Sequence, residues 1–288
     1  MLAVPDSKLD YLHAKLAIDR LIDPSINIAA ATREVDQLTV AARNLAGATD
    51  NERIKMGVIR RVIYEAGPWN GNRPFTYDLV DPLGEKIHDN LLTTYLATRQ
   101  GNCVSMPILF LILADRLGLN VSLATAPEHV FVRYTNPEGR VFDVETTSGA
   151  NAARDEWYRE KMPMSDRAVE SGLYLRTLSR RENVALFASV EVRNLLEAGR
   201  YDDAVTAAAV VLKSAPRDAD LLVMEGSAYG HMLNDEFIRK YPSQSAIPAN
   251  LYPRYAMLGE RNAALIDQAE ALGWRPPDGQ PLGAPHSK

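Results

Sequence analysis

The chain has 288 residues, 46% of them hydrophobic and 24% charged, with a formal net charge of -5. These values suit a folded protein of one to two domains and exclude a disordered one. They also argue against nucleic-acid binding, which needs a basic footprint. A membrane-spanning helix is not expected either, because no stretch approaches roughly eighteen consecutive apolar residues. The single cysteine excludes an internal disulfide framework and a cysteine-based zinc cluster. His13, His88, His129, His231 and His286 are scattered without metal-ligand spacing, so neither a metal nor another cofactor is expected. Residues 1–6 lack the charged and apolar regions of a signal peptide. The expected location is cytoplasmic as the chain stands, or periplasmic if an export signal has been removed.

The first 65 residues carry helical periodicity. Leu9, Leu12, Leu16, Ile18 and Leu21 mark a first helix that Pro24 stops. A second spans about 28–45 and ends at Gly47. A third starts at Asp50 as N-cap and carries Ile54, Val58, Ile59 and Val62. Residues 67–84, rich in Gly, Pro and Asn, predict a long irregular loop of the kind that borders sites. A short helix over 89–98 follows.

From Val104 the apolar residues fall all round, which predicts a buried helix ending at Gly118. Strands are predicted over 120–124, 129–134 and 140–146, the last two joined by Asn136-Pro137-Glu138-Gly139 as a type I turn with a left-handed glycine. The fold class is α+β: helices first, then antiparallel strands packed on a buried helix. From Asn183 the chain is helical again. Leu195, Ala204, Gly226 and Tyr229 fall at tetratricopeptide-like positions over about one and a half units, interrupted at 235–251. The expected division is a core over 1–180 and a helical, repeat-like tail over 181–288 packed on it.

A lone cysteine is usually a small buried hydrophobe. Cys103, however, follows Gly101-Asn102 at the start of an apolar helix. There the N-terminal field favours thiolate, and N–H groups can hold an oxyanion. His129, at the start of a strand, is the candidate base. Counting outward from the turn sets Arg133 opposite Asp143 and leaves Glu145 diagonal to His129. Glu145 is thus the first choice to orient the imidazole. Asp143 is the second, because a slip of two residues would exchange them. Gln100 or Asn102 could donate to the oxyanion, or equally cap the helix. Trp69 suits anchoring of the long loop more than a substrate groove, and Arg99 suits a solvated cation more than a carboxylate clamp. His88 and His231 read as structural.

The text RQGNCVSMPILFLILADRLGLNVSLATAPEHVFVRY, followed by VFDVETTSG, resembles the transglutaminase-like superfamily, in particular its bacterial SirB1-related branch. The loop GPWNGNRPFTYD and the repeat-like tail resemble that branch too. The resemblance implies a papain-like core with a Cys–His–acid triad formed by Cys103, His129 and an acid. Many superfamily members carry Asp in an Asp-Pro-like context as the third residue, and Asp143-Val144-Glu145 departs from that pattern. The expected activity is cysteine-dependent acyl transfer on a peptide or protein carboxamide, as hydrolase or transglutaminase. The alternative is a catalytically silent scaffold whose helical tail binds a protein or peptide partner.

Overall fold

A computed structural model describes residues 5–276; the reading of the extreme N-terminus over residues 1–4, and His286, lie outside the described residues. After a 3-10 turn at Asp6–Lys8 come three α-helices: α1 (Tyr11–Ile22), α2 (Ile28–Ala46) and α3 (Glu52–Tyr64). Asp10 and Asn27 cap the first two by accepting from the N–H groups of His13 and Ala30. Asn51, not Asp50, caps α3, accepting from Arg53 and Ile54. Leu12, Leu16 and Ile18 are buried as expected, whereas Leu21 falls at the rim of that face and is 65% exposed.

The segment over 67–84 is less irregular than predicted. It holds a 3-10 turn at Pro68–Asn70 and a short strand β1 (Thr76–Tyr77). After α4 (Leu92–Thr98), β1 pairs in parallel with β2 (Gln100–Gly101), Tyr77 lying opposite Gly101. Trp69 packs against the core beneath the Arg61 guanidinium, 5.4 Å from its ring centre, and so anchors the loop.

Helix α5 (Ser105–Arg116) is buried at every residue from Ser105 to Ala114. One hydrophobic core surrounds it, built from α1 to α4 and from the apolar face of the sheet, where Val130, Val132 and Val144 lie. That sheet has four antiparallel strands in sequence order: β3 (Val121–Ala126), β4 (His129–Thr135), β5 (Val141–Glu145) and β6 (Asn151–Ala153). Arg133 stands opposite Asp143, the register that the turn predicts; Gly139 has φ 77° and donates to Asn136 O at 2.9 Å. β6 escapes sequence reading because Asn-Ala-Ala has no alternation; its pairing with β5 makes it a strand.

Three more helices follow: α6 (Asp155–Lys161), α7 (Asp166–Glu170) and α8 (Arg180–Glu197). Before α8 the chain runs along the outer edge of β3, Leu175 N donating to Thr125 O and Leu178 N to Leu123 O, both at 2.9 Å. An edge that would otherwise be open to another strand is thereby closed. Asn183, fully buried, donates to Tyr11 Oη and Ser122 Oγ and accepts from Leu123 N, joining α8, α1 and β3.

The chain divides into two compact units: Met1–Pro163 with Leu175–Glu191, and Met164–Tyr174 with Val192–Lys288. The second unit contains α7, α9 (Tyr201–Leu212), α10 (Ala219–Leu233) and α11 (Tyr252–Ala271). In it, α10 approaches α11 closely at Gly226, where an added Cβ would lie 3.2 Å from Ile266 and where Asn262 donates to the Gly226 carbonyl. No helix among the described residues is long and apolar enough to cross a membrane.

An ion pair lies inside the first unit. Lys15 Nζ and Asp19 Oδ1 are 2.6 Å apart and both side chains are fully buried. Lys15 also donates to Asn90 O, and Asp19 accepts from Leu92 N, so the pair fastens α1 to the start of α4. Burial pushes the Asp19 carboxyl up against the opposing pull of Lys15. Removing one partner strands the other charge. Asp19→Ala is therefore expected to cost about 3–5 kcal/mol in urea unfolding, and the double change Lys15→Met with Asp19→Leu clearly less. A single-mutant loss under about 1 kcal/mol, within the ordinary run of substitutions, would mean that this pair does not hold the unit together.

Candidate active site

Cys103 sits at the mouth of α5, 1% exposed. The helix start is capped from within: Asn102 Oδ1 accepts from Val104 N, Ser105 N and Ser105 Oγ at 2.9–3.1 Å, and Asn102 Nδ2 donates to Asp89 O. Ser105 Oγ in turn accepts from Asn102 N at 3.1 Å, and Asn102 O accepts from Met106 N. Of the two sequence roles for Asn102, the structure displays the cap. Cys103 N donates outside the helix, to Pro82 O at 3.1 Å. A side chain at position 101 would run into Tyr95, whose ring would stand 2.5 Å from an added Cβ. Gln100 is exposed on β2.

The thiol meets the turn between β3 and β4. Ala126 pairs with His129 across two residues, Pro127 and Glu128, and Glu128 takes a left-handed φ of 54°. Its carbonyl lies 3.6 Å from Cys103 Sγ. The next residue is His129, 8% exposed. The pleat alternates, so His129, Phe131 and Arg133 share the sheet face turned away from the valine side.

The two hairpin acids have different partners. Glu145 Oε2 is 2.7 Å from His129 Nε2 and accepts from Tyr158 Oη at 3.1 Å; Glu145 Oε1 accepts from Thr147 N and Thr147 Oγ1. Asp143 Oδ1 instead accepts from Arg133 Nε at 2.8 Å, and the same guanidinium binds Asp155 and the Leu175 carbonyl. Tyr158, on α6, is fully buried and stacks on Phe131 with ring centres 4.0 Å apart. Sequence reasoning missed it: a tyrosine on a two-turn helix beyond the hairpin carries no spacing signal toward position 145.

Electrostatics separate the acids further. Burial pushes the Glu145 carboxyl up, but the hydrogen bond and charge of His129 and the two Thr147 donors prevail, holding it below the usual carboxylate range. An ionised carboxylate under protein costs several kcal/mol unless paired, and hydrogen bonds to a charged group return about 1.5–3 kcal/mol each. Four such bonds are enough to keep Glu145 charged. At Asp143 burial wins over Arg133, with Asp155 adding repulsion, and the carboxyl is pushed up to about 6.

Other sequence candidates lie elsewhere. Arg99 pairs with Glu34 at 2.8 Å and stacks over Phe75. His88 is exposed, and His231 stacks on Tyr201 with ring centres 5.0 Å apart. A surface cavity of about 900 Å³ opens between the end of α1 and the start of α2, lined by His13, Arg20 and Arg33 among others, and none of Cys103, His129 or Glu145 belongs to it.

What the fold and site define is a mixed helical and antiparallel-sheet domain that brings a thiol, an imidazole and a paired carboxylate to one end of its sheet. The chain belongs to the transglutaminase-like superfamily, whose family model matches residues 29–182. No curated protein and no solved structure matches it.

The opposite shifts of the two acids predict opposite pH signatures. Glu145, held low, contributes stability above its ordinary value of about 4.3, and this is lost as pH falls through the folded-state value. Asp143, held high, contributes stability below about 3.9, and this is lost as pH rises toward about 6. In urea unfolding over pH 3.5–7, the deficit of Glu145→Gln against wild type is expected to grow with pH. Wild type is expected to lose ground against Asp143→Asn between pH 4 and 6. The same sign in both variants would refute the division of roles.

Proposed function

We propose that the protein is a cysteine-dependent acyl-transfer enzyme acting on a peptide or carboxamide. Cys103 is the nucleophile, His129 the base and Glu145 the group that orients the imidazole. The observation that carries this reading is the 2.7 Å contact of His129 Nε2 with a charged, four-fold hydrogen-bonded Glu145, on the residue next to the turn that touches Cys103 Sγ. With Nε2 given to Glu145, Nδ1 is the nitrogen that takes the thiol proton. The thiolate attacks the carbonyl carbon, the tetrahedral oxyanion collapses to a thioester, and the departing amine leaves with the proton from His129. Water, or a second amine, then releases the acyl group. Hydrolysis is the simpler outcome, because transamidation needs a dedicated way to exclude water.

The finer family reading joins this proposal: a papain-like core of the SirB1-related branch over 1–180, and a tetratricopeptide-like tail over 181–288 that offers a protein partner a surface. The close helix approach at Gly226 supports the tail reading. One observation favours the silent-scaffold alternative, namely the burial of Cys103, and the thiol's reactivity decides between the two.

The test is the pH dependence of Cys103 alkylation by iodoacetamide in wild type and His129→Ala. Titration well below the ordinary thiol value of about 8.5, shifting in the variant, supports the pair. A thiol that titrates like ordinary cysteine in both proteins, or does not react, refutes it. Once a substrate is in hand, Glu145→Gln is expected to lower turnover more than Asp143→Asn, and the reverse order would move the orienting role to Asp143.

A further inference from the structure

Attack on a carbonyl needs donors for the oxygen that becomes negative, and the start of α5 is short of them. The N–H groups of Val104 and Ser105 bind the Asn102 side chain and that of Met106 binds the Asn102 carbonyl, all within the helix cap. The N–H of Cys103 differs, because its partner, Pro82 O, comes from the preceding loop. The same oxygen accepts a second hydrogen bond, from Tyr77 Oη at 3.2 Å. A neutral amide carbonyl thus lies between a backbone N–H of the nucleophile and a phenol, at 3.1 and 3.2 Å. Chemically it is the group a peptide substrate would present there.

We infer that the Cys103 N–H and the Tyr77 hydroxyl form the oxyanion hole of this site, and that the Pro82 carbonyl marks the place the substrate carbonyl takes. The inference rests on the acyl-transfer reading above and adds a catalytic residue to it.

The fold places Tyr77 for this role. Its strand pairs Tyr77 with Gly101, two residues before the nucleophile, and Asp78 N donates to Gly101 O at 2.7 Å. The hydroxyl therefore stands at a set height above the start of α5. Burial first, and then the electrostatic influence of the neighbouring Cys103, Glu145 and Asp78 side chains, push the Tyr77 phenol up, so it is a protonated donor at neutral pH. The occupying loop is held on both sides of its tip. Asp78 Oδ1 accepts from Val80 N, and the Asp81 carboxylate accepts from Glu85 N and Lys86 N. Between them Leu79 and Val80 are 83% and 82% exposed, apolar groups that an incoming acyl chain can pack against as it displaces the carbonyl.

The step balances. Cys103 Sγ forms a bond to the acyl carbon, and the carbonyl π pair moves to oxygen, where the Cys103 N–H and Tyr77 O–H hold it. That pair then re-forms the double bond as the leaving group departs. Asn102 is not needed as a donor, since its side chain serves the cap and the Asp89 carbonyl.

The test compares two reactions of the same thiol. Alkylation by iodoacetamide displaces iodide at a saturated carbon and forms no oxyanion; acylation by p-nitrophenyl acetate, read as p-nitrophenolate release, passes through one. In Tyr77→Phe the acylation rate is expected to fall roughly a hundredfold, the loss expected for one oxyanion donor, while the alkylation rate and its pH profile stay as in wild type. Equal losses in both reactions would make Tyr77 a support for the thiol or the loop and overturn the assignment, as would unchanged acylation. If the wild-type thiol titrates as an ordinary cysteine and p-nitrophenyl acetate does not acylate it, the acyl-transfer reading has failed and the hole falls with it. A low-titrating thiol with acylation indifferent to Tyr77 removes only the hole.

Discussion

A helix surrounded by protein on every side must end its first turn somewhere that water does not reach, and the N–H groups there need partners. The chain solves this for α5 in two ways. Asn102 turns its carbonyl oxygen back on the helix and supplies a cap. A loop from before the helix brings a carbonyl to the remaining N–H, that of Cys103. Much of the first unit follows from this arrangement. Gly101 must lack a side chain so that Tyr95 can pack beside it. The β1–β2 pairing must bring the loop to the right height, and Asn90 must hold the base of the loop through Gly84 O and Lys86 O.

The second requirement is a buried carboxylate. Charge under the protein surface is tolerated at Glu145 because four donors converge on it, and one of the four is the imidazole. The ring nitrogen that faces Glu145 is thereby selected, and its orientation is held by a network that includes a fully buried tyrosine stacked on Phe131. Two residues back along the same strand, Asp143 serves Arg133, whose guanidinium ties the sheet to Asp155 and to the covering segment at Leu175. One acid touches the imidazole and the other holds the sheet to its surroundings, although they share a strand and a face.

This division was legible in the sequence because the turn at Asn136–Gly139 sets the register, and register decides which acid lies near His129. The buried helix was legible from its unbroken apolar run. Other features were not. Asp50 and Asn51 are both good caps, and nothing local prefers one of them. Leu21 continues a helical spacing, yet it lies where the helix turns toward solvent. The parallel pairing of β1 with β2 spans two residues each, too short for any periodicity, so Tyr77 could not be placed near Cys103 from the text of the chain. Tyr158 was hidden for a similar reason, since α6 has only seven residues and its link to Glu145 is purely tertiary.

The left-handed backbone of Glu128 has one more implication. A side chain with a Cβ in that conformation costs about 1–2 kcal/mol against its preferred region, a cost that glycine would avoid and asparagine would lessen. The chain keeps a glutamate there, directly beside the thiol and directly before the imidazole. Position 128 is therefore a natural place to look for relaxation among descendants of a common ancestor. A lineage released from the need to hold that carbonyl against the sulphur would gain stability by drifting to Gly or Asn, and the drift would be recorded in the turn that touches Cys103.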